Sequence, residues 1–264
     1  MGKLNIKIKR YIGLFKTVIN WKNYLLFKIN GTKKSFTFNI KNFGLIEIER
    51  DKLGPFKESF FDNIYFRHIP SAILTKNTQP VIIDLGANVG FFSLAAFSKF
   101  PKAKIFSIEP HPYCVRMMKD YQNIFKSFNW KVFQLAVSDQ DGEINLNTST
   151  VDGFTTMASV FQNETKEETF IAKSVKLDSF IFDKGLTNID FIKIDVEGSE
   201  YPILYGLPVE VFEKINSLCI ETHRSEEKKQ NTDFLNNYLV KLGYTTKVLN
   251  EDQKTGYIWA WKLA

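Results

Sequence analysis

From residue 81 onward, short unbroken apolar runs alternate with longer stretches whose apolar positions recur every three or four residues. The runs "VIIDL", "FIKID" and "SLCIE" lack polar alternation, which marks strands buried on both faces, as in a parallel sheet. Strands are predicted over 81–86, 104–109, 131–137, 190–196, 217–222, 244–249 and 257–263. Helices are predicted over 89–99, 111–126, 199–206 and 230–242. This alternation predicts an α/β fold: an open, mostly parallel sheet with helices on both faces. Ligands of such sheets bind beyond the carboxyl ends of the strands. The strand-end residues therefore matter most: Asp84 to Gly90, Glu109, Val137 to Asp139, Asp195 to Glu197, and Glu221 to His223.

The first 75 residues break this rhythm. Leu4, Ile8, Tyr11, Ile12, Phe15, Val18 and Ile19 fall at helical spacing over 4–19, with lysines and Arg10 on much of the other face. Such a helix either packs on the main domain or lies on an anionic membrane surface. "YLLFKINGTKKSFTFNI" follows, where Asn30-Gly31 predicts a type I′ turn between two β-rich runs. Residues 1–75 are read as a small accessory helix-and-hairpin cap, and 76–264 as the main domain.

Composition narrows the classes. At 264 residues, 44% hydrophobic and 24% charged, the chain has the make-up of an ordinary globular protein with one substantial core. Lys and Arg outnumber Asp and Glu by 35 to 29, a mild surplus. With no arginine-rich tract or nucleic-acid motif, no nucleic-acid partner is expected. Cys114 and Cys219 cannot build a disulfide framework and read as buried thiols in a reducing compartment. No apolar run reaches the roughly 18–20 residues of a membrane span. Lysines interrupt the start, unlike a signal peptide, and Ile6 stands where a myristoylation signal takes Ser or Thr. The expected location is cytoplasmic, with peripheral membrane contact through the basic N-terminal helix left open.

Chemistry enters at the first turn. A dinucleotide fingerprint reads G-x-G-x-x-G, but here Asn88 and Phe91 replace the second and third glycines of Gly86-Ala87-Asn88-Val89-Gly90-Phe91. The second glycine lets a pyrophosphate approach the backbone, so Asn88 disfavours that ligand and a nicotinamide-dependent oxidoreductase with it. Glu109 ends the next strand, about twenty residues on, where a carboxylate accepts hydrogen bonds from the ribose hydroxyls of an adenosine ligand. A nucleoside without a pyrophosphate suggests S-adenosylmethionine. Asp84 is then expected near its ammonium group, and backbone N–H groups around Gly86 to Gly90 near its carboxylate.

"VIIDLGANVGFFSL", "FSIEPHP", "LAVSDQDGEI", "VKLDSF", "FIKIDVEGSEYPILYGL" and "LCIETH" occur in that order. Together they closely resemble the FkbM family of S-adenosylmethionine-dependent methyltransferases, over roughly residues 78–225. The resemblance implies the class I methyltransferase (Rossmann-like) fold, a seven-stranded sheet of order 3-2-1-4-5-7-6 with the last strand antiparallel. It implies methyl transfer to oxygen, often a sugar hydroxyl of a glycan or natural product. It matches Asp84, Gly86, Asn88 and Gly90 to the first cofactor motif and Glu109 to the ribose-binding acid. Ser138 and Asp139 follow the strand whose end meets the adenine. A serine-containing segment is implied within 147–172, where "MASV" with Ser159 lies beside Phe154; a plain surface loop is the alternative.

On the acceptor side, methyl transfer needs an aligned hydroxyl and a base for its proton. Lys193, Asp195 and Glu197 fall on one side of an extended strand by period-two alternation. Three charges there are costly unless paired or functional, and a purely structural Lys193–Asp195 ion pair is the simpler reading. Asp195 is the first candidate for base or orienting group. Glu197 either bonds acceptor hydroxyls or caps the helix near Ser199. Glu221 and His223 end the next strand on one side, and His223 is the alternative base. Asp195, Glu221 and His223 could also hold Mg²⁺ or Mn²⁺, although nothing in the spacing requires a metal. The function expected is O-methylation of a sugar hydroxyl. Methylation of a polyketide or lipid-linked hydroxyl, or a nucleotide-binding oxidoreductase, are the alternatives.

Overall fold

The computed structural model describes residues 3–151, 154–159 and 167–263. Its contacts divide the chain into two compact units, Met1–Arg67 with Phe91–Pro101, and His68–Gly90 with Lys102–Ala264. The hydrophobic pattern alone had divided the chain once, after residue 75.

The first unit begins with helices α1 (Lys3–Thr17) and α2 (Trp21–Ile29), followed by an antiparallel hairpin of β1 (Ser35–Ile40) and β2 (Gly44–Glu49). Helix α3 (Leu53–Lys57) runs into a single π turn at Glu58–Asp62. In chain order α4 (Ser71–Thr75) follows, and then α5 (Phe91–Lys99), which belongs to this unit by its contacts. Aromatic rings fill the core. Phe38 is fully buried, with the ring centroids of Tyr24, Phe36, Phe56 and Phe61 at 5.0, 4.8, 4.6 and 5.9 Å. Phe56 also meets Phe91 of α5 edge-on at 5.5 Å. Gly13 lets α1 lie against the π turn, since a Cβ there would fall 1.8 Å from the Phe61 carbonyl oxygen. The Arg10 guanidinium donates to both carboxylate oxygens of Asp62, fixing the same contact.

The hairpin expected across Asn30-Gly31 is displaced. "WKNYLLFKI" forms α2, because Tyr24 and Phe27, three apart, bury one helical face. Asn30 closes that helix, its N–H donating to Leu26 O at 3.0 Å. The hairpin lies one step later, and Asn42 and Gly44 supply its left-handed residues. Phe38→Ala is expected to destabilise the first unit by about 3–5 kcal/mol in urea denaturation followed by aromatic fluorescence.

The second unit is built on a seven-stranded sheet of β3 (Val81–Leu85), β4 (Lys104–Ile108), β5 (Asn129–Phe133), β10 (Phe191–Ile194), β11 (Ser217–His223), β12 (Thr245–Asn250) and β13 (Thr255–Trp261). Between β5 and β10 lie β6 (Ala136–Ser138), β7 (Gly142–Val151), β8 (Phe154–Ser159) and β9 (Glu167–Lys176). The large sheet has the order β12-β13-β11-β10-β3-β4-β5. Numbered within that sheet, this is the implied 3-2-1-4-5-7-6, and only β13 runs antiparallel to its neighbours. The unit's helices are α4, α6 (Pro112–Ile124), α7 (Leu177–Asp183), α8 (Glu200–Tyr205), α9 (Val209–Glu213) and α10 (Thr232–Lys241). Ile83, Ile192, Leu218 and Ile220 pack with Phe180, Tyr201, Leu235 and Leu239 in one buried cluster.

One expectation is corrected here, and one open alternative is decided. The strand predicted over 131–137 is broken at Gln134-Leu135, and residues 136–138 pair instead with β9 in a second sheet of order β6-β9-β7-β8. Much of the polar segment 147–172, for which a surface loop was the alternative, belongs to that sheet: β7 pairs antiparallel with both β8 and β9. Its alternation carried the signal, since Ile144, Leu146, Phe170 and Ala172 form a small apolar cluster. The side chains of Phe154 and Ser159, and residues 152–153 and 160–166, lie outside the described residues.

Candidate active site

The carboxyl ends of β3, β4 and β10 meet at one cavity. Gly86, Asn88, Glu109, His111, Asp195 and Glu197 lie on its rim. Ile108, Leu135, Ala136, Val137, Ile144 and Leu146 give it an apolar wall.

The turn after β3 needs its residue types. Gly86 has φ +68°, and a Cβ there would fall 1.8 Å from the Asp195 carbonyl oxygen. Gly90 has φ +86° and faces Met118 and Trp130. Asn88 is also left-handed, at φ 49°, a conformation asparagine tolerates better than most side chains. Its Oδ1 accepts from Val89 N–H at 2.7 Å, which closes the turn locally. The backbone amides of this turn are already bonded. Gly86 and Ala87 donate to Ile108 O, Asn88 to Glu109, and Gly90 to Ala87 O. The expected donation from these amides to a ligand carboxylate would therefore require the turn to rearrange.

Glu109 is buried where β4 ends. One carboxylate oxygen accepts from Asn88 N–H at 2.8 Å and the other from His111 N–H at 2.9 Å. Burial pushes its pKa up to about 7, although the two N–H bonds and Lys193 pull the other way. Each oxygen keeps lone pairs for further donors.

Behind the rim lies a buried ion cluster. Lys193 on β10 stands beside Asp84 in the strand register. Its Nζ is 3.3 Å from Asp84 and 3.4 Å from Asp195, and it donates to Leu85 O at 3.2 Å and Gly86 O at 2.6 Å. Burial works against its charge, but Asp195, Asp84 and Glu221 together outweigh it and hold the ammonium above the usual lysine range. Asp84 is fully buried within this cluster and is not among the cavity-lining residues.

The turn after β10 sets the direction of Glu197. Glu197 and Gly198 are both left-handed, at φ 51° and 102°. Glutamate rarely adopts that conformation, and strain of this kind concentrates at functional sites. The Glu197 carboxylate lies 3.4 Å from His223 Nε2 and does not cap α8. Glu200, fully buried, reaches back instead: it accepts from Gly198 N–H at 2.8 Å and from His223 N–H, and lies 3.4 Å from His223 Nδ1. Burial opposes the imidazolium, yet Glu200, Glu197 and Asp195 raise its pKa to about 10. Burial and Asp195 push Glu197 up to about 7, against the pull of His223.

Asp195, Glu197 and His223 can offer ligand atoms within 4.8 Å of one another, so a divalent cation would find its donors there and not in the expected set with Glu221. Glu221 faces Lys193 on the same side of β11 as His223.

Ser138 and Asp139 are not among the cavity-lining residues. The Ser138 hydroxyl is 2.6 Å from Ser174 Oγ and accepts from Gln140 N–H, tying β6 to β9. Ile144 and Leu146 went unnoticed because the small sheet that carries them was not foreseen, and Glu200 because nothing local pairs it with a strand 23 residues away.

A second cleft, of about 360 Å³, opens beyond β11. Every residue lining it is polar or charged, among them Arg224, Asn231, Asp233, Asn250, Gln253 and Lys254. It begins one residue after His223, whose strand partner Thr255 forms part of its wall.

This sheet order, with a strand-end cavity placing an acid on the second strand, defines a class I methyltransferase. The profile of the Methyltransferase FkbM domain matches residues 84–246, and the chain belongs to that family. The methyltransferase sdnD of Sordaria araneosa is 29% identical over 63% of this chain and 73% of its own. The 2-O-methyltransferase NoeI of Sinorhizobium fredii is 28% identical over 50% of this chain and 59% of its own. A crystal structure of methyltransferase FkbM from Methylobacillus flagellatus superposes with a TM-score of 0.51 at 16% identity, over 74% of this chain and 47% of that one.

Lys193→Met is expected to cost about 3–5 kcal/mol in chemical denaturation, because it strands Asp84 and Asp195 without their cation. Adding Asp84→Asn should recover part of that loss. Full stability in the single variant would show that the ammonium does not hold the cluster together.

Proposed function

We propose that this methyltransferase uses S-adenosylmethionine to methylate a hydroxyl of a carbohydrate acceptor. The observation that carries the reading is that Glu109 and the Asp195–Glu197 turn line one cavity. A nucleoside gripped at one side would then face carboxylates at the other.

The residues fit that cofactor. The two oxygens of Glu109 suit the two ribose hydroxyls, and the apolar wall from Ile108 to Leu146 suits a flat purine. Asn88, left-handed and bonded to its own turn, leaves no bare backbone for a pyrophosphate. Asp84 supports the site from behind through Lys193. When bound, S-adenosylmethionine supplies the methyl as an electrophilic sulfonium substituent.

The acceptor hydroxyl must lose its proton as the carbon–oxygen bond forms and the carbon–sulfur bond breaks. Asp195 orients the hydroxyl, and Glu197, with a pKa near 7, takes the proton and passes it to solvent. His223 is charged at neutral pH, so it acts as a hydrogen-bond donor that holds Glu197 in place, and not as the base. The name of NoeI as a 2-O-methyltransferase supports oxygen as the methylated atom. The wholly polar cleft beyond His223 favours a polyhydroxyl acceptor over a polyketide or a lipid chain.

Methyl transfer from labelled cofactor to a panel of saccharides tests the reaction. Glu197→Gln should keep affinity for S-adenosylhomocysteine while kcat falls by about a hundredfold or more. Undiminished turnover would remove Glu197 from the proton transfer, and Asp195→Asn applies the same test to the orienting group.

Glu109 must be ionised to accept from both hydroxyls. Its raised pKa means that the charged form is about half present at pH 7, nearly complete by pH 8 and lost as pH falls through about 7. Calorimetric titration with S-adenosylhomocysteine should therefore show affinity about tenfold weaker at pH 6 than at pH 8. Glu109→Ala should bind weakly at both. A wild-type affinity that ignores pH would sever Glu109 from the ribose.

A further inference from the structure

Helix α1 is apolar on two sides. Leu14 and Val18 are buried in the first unit, as the packing of Gly13 on the π turn requires. Ile8, Ile12 and Phe15 form a second stripe, continued by Ile19 beyond the helix end and by Leu26 and Ile29 on α2, and all six are 42–84% exposed. Lys9, Lys16, Lys22 and Lys28 stand exposed on the same two helices. No Asp or Glu precedes Glu47, whereas ten Lys and Arg do. Aliphatic side chains this large, grouped and uncovered, mark a surface that meets a partner.

We propose that α1 and α2 form a docking face for an anionic phospholipid bilayer. The exposed stripe enters the acyl boundary, and the lysines meet the headgroup charge. The charge decides between occupants. A second copy seated face to face would set Lys9, Lys16, Lys22 and Lys28 against the same four lysines with no acid on either helix, whereas an anionic lipid surface offers each of them a negative partner. None of the described helices is long and apolar enough to cross a membrane, so the contact is with one surface only. This contact is independent of the methyl-transfer chemistry and stands or falls apart from it.

The test is flotation of the full chain with two kinds of vesicle, phosphatidylcholine alone and phosphatidylcholine mixed with phosphatidylglycerol. The protein should float with the anionic vesicles, and molar salt should release most of it, because each lysine near the surface contributes about fivefold to partitioning. Ile12→Glu/Phe15→Glu should lower binding by about a hundredfold, with an unchanged melting temperature and unchanged affinity for S-adenosylhomocysteine. Protein left behind by anionic vesicles would overturn the proposal, as would equal flotation with both kinds. It would also be overturned if sedimentation showed a dimer that the double variant dissolves while vesicle binding persists.

Discussion

One buried ammonium holds the site together. Lys193 is buried, so its charge must be met by protein oxygen, and four groups converge on it: Asp84, Asp195, Leu85 O and Gly86 O. These belong to the ends of two adjacent parallel strands. The cation therefore fixes the end of β3, the opening of its glycine turn and the carboxylate after β10 relative to one another. Such a cluster is a poor source of net stability, since desolvation offsets much of the attraction. What it supplies is position.

From that anchor the site extends in two directions through backbone contacts. Toward the cofactor side, Gly86 and Ala87 bond Ile108 O, and Glu109 bonds Asn88 and His111, so the β4 acid is held by the same turn that Lys193 pins. Toward β11, the left-handed Glu197 and Gly198 turn the chain sharply, and Glu200 clamps that turn to the end of the strand. Burial raises the pKa of both Glu109 and Glu197 to about 7, so the cavity carries two carboxyl groups that titrate near neutrality for the same reason. The close approach of Gly86 to the Asp195 carbonyl ties the two halves into one wall.

The sheet was legible because its signals are local and repeated. Unbroken apolar runs such as "VIIDL" and "FIKID" bury both faces of a strand, and each carries an aspartate at or next to its end. The resemblance to the FkbM family carried the strand order. Errors came where one local pattern had two outlets. "YLLFKI" suits a strand by propensity, but Tyr24 and Phe27 found a common aromatic core as a helix. The polar segment 147–172 left a surface loop open as an alternative because its strands pair with each other, and that pairing shows only after the chain folds back.

The sequence by itself determined which residue types stand at each strand end, that the first turn must be tight, and that Asn88 puts a side chain where a dinucleotide fingerprint has a glycine. These follow from short-range geometry: a glycine's freedom, a strand's two-residue period and a side chain where none can fit. The tertiary structure decided which of the charges touch. It buried Asp84 behind Lys193, turned Ser138 toward Ser174, brought Glu197 and Glu200 to either side of His223, and lined the strand-end cavity with Leu135 to Val137, Ile144 and Leu146. Those outcomes depend on residues tens of positions apart sharing one desolvated space, where each charge must find its partner.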